Sequence, residues 1–159
     1  MNRVILKKML LMLIVFAISV YYVNAAYVSP EGYWKTIDDK TGDVKSIVKV
    51  WKENGKLKGQ ILKIFPKEGE DPDPVCDKCK GKLKDKKTLG MVFMWGFYRD
   101  GNKWIEGEIV DPENGKQYHC QVYTVKNGKE LKVFGYIKII FKIGRTQTWI
   151  RTDASSLKS

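Results

Sequence analysis

Apolar and polar residues alternate along most of the chain beyond Gly32. Runs rich in Val, Ile, Trp, Tyr and Phe are separated by short clusters of Gly, Asn and Asp, and no stretch longer than about ten residues has a helical period. A period of two is typical of a strand with one buried face. The pattern predicts eight strands, near residues 32–38, 44–53, 57–65, 89–99, 103–110, 117–126, 129–141 and 145–152.

The breaks between these strands consist of residues that tolerate positive φ, as tight hairpins require. They are 39–42, Asn54-Gly55, 100–102, Asn114-Gly115, Asn127-Gly128 and a bend at Gly144. Consecutive hairpins form a meander, and closing a meander into a barrel removes its exposed edges. We therefore predict an all-β fold, an eight-stranded antiparallel up-and-down barrel whose interior is nearly filled by side chains or holds one small ligand.

The alternation also predicts which side chains point into the barrel. Cys120 is expected in the interior. The inward face of the seventh strand is predicted to carry Leu131, Val133, Gly135, Ile137 and Ile139. The fourth strand is apolar on both faces, with Met91, Phe93, Trp95 and Phe97 facing away from Val92, Met94 and Tyr98. Its outer face is therefore covered by a loop or a partner, or else exposed.

The first 25 residues have the pattern of a secretory signal peptide. A cationic start precedes an apolar run from Met9 to Val20, and small or tolerated residues lie before a cleavage point after Ala25, with Ala26 as the second choice. An uncleaved anchor is the rival interpretation, but the apolar run is shorter than the roughly 20 residues that span a bilayer. We predict a signal peptide over 1–25 and one barrel domain over 26–159. The mature protein would be periplasmic or secreted and would have no stable membrane anchor.

Charge and composition narrow the functional classes. Residues 1–25 hold three of the 29 basic residues and none of the 18 acidic ones, so the remainder carries a net charge of +8. Such a charge is typical of nucleic-acid binders, but export argues against that partner. His119 is the one histidine, so a multi-histidine metal site is excluded, and Glu106 and Glu108 alternate with apolar residues as on a solvent-facing strand. We predict no enzyme activity, no metal and no cofactor.

One connection, residues 66–88, is long and has no strand or helix pattern. Charge runs mostly solvate a loop, which is the favoured interpretation, and the alternative is a lid over one barrel mouth. Cys76 and Cys79 lie in this loop and lack the helix and the two further ligands that redox and zinc sites need. In an oxidising compartment we predict a Cys76–Cys79 disulfide, with Cys120 a buried thiol. A bridge from Cys120 to either loop cysteine remains the alternative.

Four ordered blocks of this sequence are specific enough to compare with a known family. They are GYWKTIDD at 32–39, PVCDKCKG at 74–81, DPENGKQY at 111–118, and GYI at 135–137 followed by GRTQTW at 144–149. Together, over about Gly32 to Arg151, they resemble the uncharacterised bacterial family known as domain of unknown function 2147. The resemblance implies a secreted or periplasmic, lipocalin-like barrel and no particular activity.

Gly32-x-Trp34 also resembles the lipocalin signature, in which the Trp closes one end of the barrel beneath a basic side chain from the far end of the chain. That resemblance makes Arg151 the first candidate for the partner of Trp34 and Arg145 the second. A Trp–Arg stack contributes on the order of 0.5–2 kcal/mol.

The last predicted strand contains the candidate ligand-binding residues. Arg145, Gln147, Trp149 and Arg151 share one face. If that face points inward, it offers a cation, an amide and an aromatic wall to an apolar molecule that carries a carboxylate or phosphate. If it points outward, the same groups line a solvated strand. The full predicted ligand-binding set is Arg145, Gln147, Trp149, Tyr118, Trp34 and Arg151.

Two functions fit these features. The first is a non-enzymatic barrel that binds a small, largely apolar, fatty-acid-like ligand, with residues 66–88 as its lid. The alternative is an envelope interaction protein that binds a protein or an anionic surface through its basic and aromatic exterior. A fully packed barrel interior with no remaining pocket would count against the first function, and binding that persists at high salt would count against the second.

Overall fold

The computed structural model of the protein describes residues 27–158. The predicted signal peptide, residues 1–25, lies outside this range. The strands are β1 (Gly32–Ile37), β2 (Val44–Glu53), β3 (Lys56–Ile64), β4 (Val92–Asp100), β5 (Lys103–Val110), β6 (Gln117–Val125), β7 (Glu130–Lys138) and β8 (Lys142–Thr152). Two short 3₁₀ turns, Gly81–Leu83 and Ala154–Leu157, are the only helical segments of the described residues.

The eight strands form one closed antiparallel barrel in chain order, so the predicted fold class is confirmed. The barrel closes where β1 pairs with β8, and Trp34 lies opposite Arg151 in that pair. We call the end that carries the connections 38–43, 65–91, 111–116 and 139–141 the mouth, and the opposite end the base. Asn54-Gly55 and the turns at 101–102 and 126–129 lie at the base.

The interior of the barrel is filled with side chains. Trp34, Leu57, Met94, Phe97 and Trp149 are all fully buried and belong to one hydrophobic cluster that runs from the base toward the mouth. Glycine makes room for the larger rings, because a Cβ on Gly107 would lie 2.3 Å from the ring of Phe97. The sequence left open a filled or a ligand-sized interior, and the filled one is found.

Strand β4 departs from the predicted alternation. The partners of Val92 and Met94 on β3 are adjacent residues, so Phe93 is an extra residue, and Gly96 has a φ of 83°. Such β-bulges change which face the following side chains occupy. Phe93, Met94 and Phe97 are all buried as a result, whereas strict alternation would place Met94 opposite the other two. Cys120, Leu131 and Val133 are buried as predicted.

The last hairpin also differs from its prediction. The chain turns at residues 139–141, and Gly144 lies inside β8 opposite Tyr136 instead of at the bend. Strand β7 therefore ends at Lys138, and the predicted inward residues Ile137 and Ile139 are exposed beyond the packed interior. The turn contains Ile and Phe where the other tight turns contain Asn-Gly or Asp-Gly, which explains why the sequence pattern missed it.

Candidate functional site at the barrel mouth

The long loop covers part of the mouth. Its residues 74–76 pair with residues 85–88 through backbone hydrogen bonds, including Cys76 N–H to the Lys86 carbonyl at 2.8 Å. Cys76 and Cys79 form the predicted disulfide, and both are buried in the hydrophobic cluster of the barrel. Cys120 is a free, buried thiol. The loop is thus a packed cover and not only a solvated connection.

Two neighbouring connections hold this cover in place. A Cβ on Gly115 would lie 2.1 Å from the carbonyl oxygen of Lys78, so the turn 111–116 contacts the disulfide loop backbone directly. On the other side the Lys67 ammonium lies 3.3 Å from the Asp43 carboxylate and 3.9 Å from that of Asp38. One contact is made by the β5–β6 turn and the other by the β1–β2 turn, so the long loop is held on both sides of the mouth.

A chain of polar contacts runs from the interior to the rim along β8. The Trp149 indole N–H donates to Gln147 Oε1 at 3.3 Å, and the Gln147 amide lies 3.5 Å from Asp39 Oδ2. Arg145 Nη1 lies 3.3 Å from the same carboxylate oxygen. Trp149 is buried and Arg145 is exposed, so the face of β8 that points inward at Trp149 reaches the open rim at Arg145. Strand alternation did not predict Asp39, which comes from the β1–β2 turn.

The structure divides the predicted ligand-binding residues between the two ends. Tyr118 is half-buried near Gly135, which pairs directly with Arg145, so Tyr118 belongs with the mouth residues. Trp34 and Arg151 lie at the base. There the guanidinium carbon of Arg151 is 4.2 Å from the ring centroid of Trp34, and the predicted stack between these two side chains is present.

The two base residues are also tied to the N-terminal segment. Arg151 donates to the carbonyls of Ser29 and Glu31 at 2.8 and 2.9 Å, and Trp34 donates to that of Pro30 at 2.8 Å. Desolvation lowers the pKa of the Arg151 guanidinium. Since the polar hydrogens of Trp34 and Arg151 are directed at backbone carbonyls, this pair closes the base.

Two open clefts on the described residues lie outside the packed interior. One, of about 420 Å³, spans β5, β6 and β7 near the mouth and is lined by Tyr118, Ile137 and Lys138 together with the outer-face pair of Glu108 and His119. Another, of about 380 Å³, lies beside the long loop, and its lining includes Lys82, Leu83, Lys86 and Leu89. Tyr118 lines the rim cleft and also lies near Gly135, whose partner on β8 is Arg145.

Among residues 27–158, no three His, Cys, Asp or Glu side chains cluster closely enough to hold a metal ion. His119 Nδ1 lies 2.9 Å from Glu108 Oε1 on the outer face of the barrel. Burial, with a smaller contribution from Glu108, raises the pKa of the Cys120 thiol.

Within residues 27–158, the helical segments are too short and too polar to span a membrane.

Comparison with known proteins gives a family and a fold. The model of the family described as "Uncharacterized protein conserved in bacteria (DUF2147)" matches residues 32–151. A solved structure of a lipocalin-family protein from the human pathogen Helicobacter pylori is similar, with a TM-score of 0.67 and 22% identity, over 82% of this chain and 88% of that one. No curated protein matches the chain significantly.

Proposed function

This chain belongs to the DUF2147 family of bacterial proteins and folds as a lipocalin-like barrel, and from that premise we propose that it is an exported, non-enzymatic binding protein for a small, largely apolar ligand with an anionic group. The ligand is held at the mouth, with its anionic group on Arg145 and Gln147. The packed interior argues against a deep cavity, so the site is limited to the rim and its cleft.

The observation that carries this proposal is the polar chain from Trp149 through Gln147 to the Asp39–Arg145 pair. The Arg145 side chain is 71% exposed, and exposed ion pairs contribute little to stability. An anionic ligand group can therefore replace the Asp39 carboxylate at small cost. Guanidinium and amide groups then bind the carboxylate or phosphate, while Tyr118 and Ile137 contact the apolar part.

The same reasoning assigns Trp34 and Arg151 to closure of the base, away from the ligand.

The proposed function also includes export of the protein from the cytoplasm. The sequence of residues 1–25 and the Cys76–Cys79 disulfide both support a periplasmic or secreted protein. Fractionation of cells, with the N-terminal residue determined in each fraction, tests this part, and a chain that stays in the cytoplasm and still begins at Met1 would overturn it.

The binding test begins with native mass spectrometry of protein purified from the periplasm without reduction, followed by extraction of any bound molecule. A fluorescent fatty-acid analogue is then titrated into the protein and into Arg145→Met and Asp39→Asn. We expect Arg145→Met to weaken binding about tenfold through loss of the charge-assisted contact. Asp39→Asn should tighten binding, because it removes the competing carboxylate.

Arg99→Met is the matched control, since Arg99 is exposed and stacks on Tyr27 at the base, 3.7 Å from that ring. It should bind the fatty-acid analogue like the unmodified protein, and a fatty alcohol of equal length should not distinguish the Arg145 variant. Equal affinity of the unmodified protein and Arg145→Met for the analogue would remove Arg145 from the site.

The second function, an envelope interaction protein, retains one specific observation. Tyr98 is exposed on the outer face of β4, and the chain beyond residue 25 has a net charge of +8. The bulges leave Val92, Trp95 and Tyr98 outside, and Trp95 is partly covered by the core cluster. Pull-down from envelope extracts that is lost in Tyr98→Ser and at high salt would favour this function over ligand binding.

A further inference from the structure

The tip of the β7–β8 hairpin is an exposed apolar surface. Ile139, Ile140 and Phe141 are 69%, 93% and 67% exposed, and Ile137 and Ile143 on the adjoining strand ends are also exposed. Five of the ten exposed large hydrophobic residues found in the described part of the chain lie within these seven positions. Apolar surface concentrated in this way marks a site of association.

Neither turn formation nor core packing explains these side chains. Tight turns favour Gly, Asn and Asp, and the other short hairpins of this barrel use Asn54-Gly55, Asn127-Gly128 and the Asp-Gly at 100–101. The apolar turn is closed weakly, with the Ile139 N–H 3.4 Å from the Phe141 carbonyl. Because the three tip side chains lie outside the hydrophobic cluster of the barrel, their apolar character requires another partner.

Charge identifies that partner. Lys138 and Lys142 lie directly opposite each other at the foot of the tip, and no acidic residue occurs between Leu131 and Thr152. Like charges at opposite positions destabilise a strand pair, so contact with an anionic surface would relieve this repulsion. Lys142 already lies back over the Tyr136 ring, 4.6 Å from its centroid, which keeps its ammonium behind the apolar tip.

We propose that the β7–β8 hairpin docks the protein onto an anionic lipid bilayer. Ile139, Ile140 and Phe141 enter the boundary between headgroups and acyl chains, and Lys138 and Lys142 contact the lipid phosphates. Membrane-surface segments combine an apolar insertion with basic residues at headgroup level in this way. A bilayer also fits the shape, because a projecting tip of three residues buries little area against a flat protein surface.

The test uses the purified protein, with its N-terminal residue identified by mass, and vesicles of phosphatidylcholine alone or with about one third phosphatidylglycerol. Cosedimentation should be strong only with the anionic vesicles. Ile140→Ser/Phe141→Ser and Lys138→Gln/Lys142→Gln should each lower the partition coefficient at least about tenfold. Ile150→Ser, which removes an exposed apolar side chain from the part of β8 near the base, is the matched control and should bind normally.

A second measurement reports the orientation. Cys120 is buried and the other cysteines are paired, so Ile140→Cys offers a single accessible thiol for an environment-sensitive dye. Anionic vesicles should shift its emission to the blue, whereas the same dye on Asn102→Cys, at the base, should not respond. Equal binding by the tip variants, or a blue shift at Asn102→Cys, would overturn the proposal. So would a dimer that dissociates in Ile140→Ser/Phe141→Ser without any vesicle binding, since a second copy of the chain would then cover the tip.

Discussion

The guanidinium of Arg151 lies over the indole ring of Trp34, 4.2 Å from its centroid, and joins the last strand of the barrel to the first. The same guanidinium donates to the carbonyls of Ser29, Glu31 and Gly128. One side chain therefore connects the strand closure, the N-terminal segment and the β6–β7 turn. Both planar stacking and a fork of donors are needed, which explains why arginine suits this position better than lysine.

Arg151→Met should lower the free energy of unfolding by about 2–4 kcal/mol, because it removes the stack and leaves backbone carbonyls without their donor. Arg151→Lys should lower the free energy of unfolding by most of the same amount, since a lysine ammonium cannot donate to all three carbonyls at once as the planar guanidinium does. Urea unfolding followed by tryptophan fluorescence measures both. Arg145→Met, at the exposed end of the same strand face, is the comparison and should change stability little. Equal losses at the two positions would contradict the role given to Arg151.

The barrel could be predicted from the sequence alone, because most of its tight turns contain Asn-Gly or Asp-Gly pairs and its strands alternate apolar with polar residues. Strict alternation failed at Phe93, where a bulge changes the side-chain register without a composition signal, and at Gly96, where a glycine inside the strand is the signal that was not used. It also failed at the turn 139–141, which contains no turn residue. The candidate site was only partly predictable. The two-residue period of a strand places Arg145, Gln147 and Trp149 on one face, but the carboxylate of Asp39 comes from a turn that is distant in sequence.

The cysteines make a prediction about thiol chemistry. The native protein should not react with iodoacetamide at about pH 8, because Cys120 is buried and its pKa is raised by desolvation, so little thiolate forms. Denaturation without a reductant should expose one reactive thiol per chain, and denaturation with a reductant should expose three. Mass spectrometry counts the added groups. Labelling of Cys76 or Cys79 before reduction would show that the loop disulfide is absent in solution.

The β1–β2 turn predicts a pH dependence of stability. The backbone N–H groups of Lys40 and Thr41 donate to Asp38 Oδ1 at 2.8 and 3.0 Å, and these bonds lower the pKa of the carboxyl below its ordinary value of 3.8. A carboxyl whose folded-state pKa is depressed stabilises the protein above its unfolded-state pKa. That contribution should be lost as the pH falls from about 3.8 through the folded-state value.

Asp38→Asn tests this linkage, because the amide oxygen can still accept the two turn hydrogen bonds but cannot titrate. Its stability should decline less than that of the unmodified protein when urea midpoints are compared between about pH 5 and pH 2. The remaining decline should come from carboxyls whose pKa is also lowered, such as Glu53 beside Lys58. Parallel curves for the two proteins would show that Asp38 is not held in its charged form by the turn.

The packing of the long loop on the mouth can be tested with two glycines that differ in one respect. Gly115 and Gly101 both have positive φ, 67° and 58°, so alanine is strained at either position, at a cost of roughly 1–2 kcal/mol. Only at Gly115 does the new Cβ meet another segment, 2.1 Å from the Lys78 carbonyl oxygen, whereas nothing lies within 4 Å at Gly101.

Gly115→Ala should therefore destabilise the protein by about 1–3 kcal/mol more than Gly101→Ala, since the disulfide loop must move away from the turn 111–116. Limited proteolysis supplies the local readout. Cleavage within residues 66–88 should become faster in Gly115→Ala and stay unchanged in Gly101→Ala, because only the first substitution displaces the loop. If both variants lost the same stability and the loop resisted protease equally, the loop would be held by the buried disulfide and the Lys67 ion pairs instead of by its contact with Gly115.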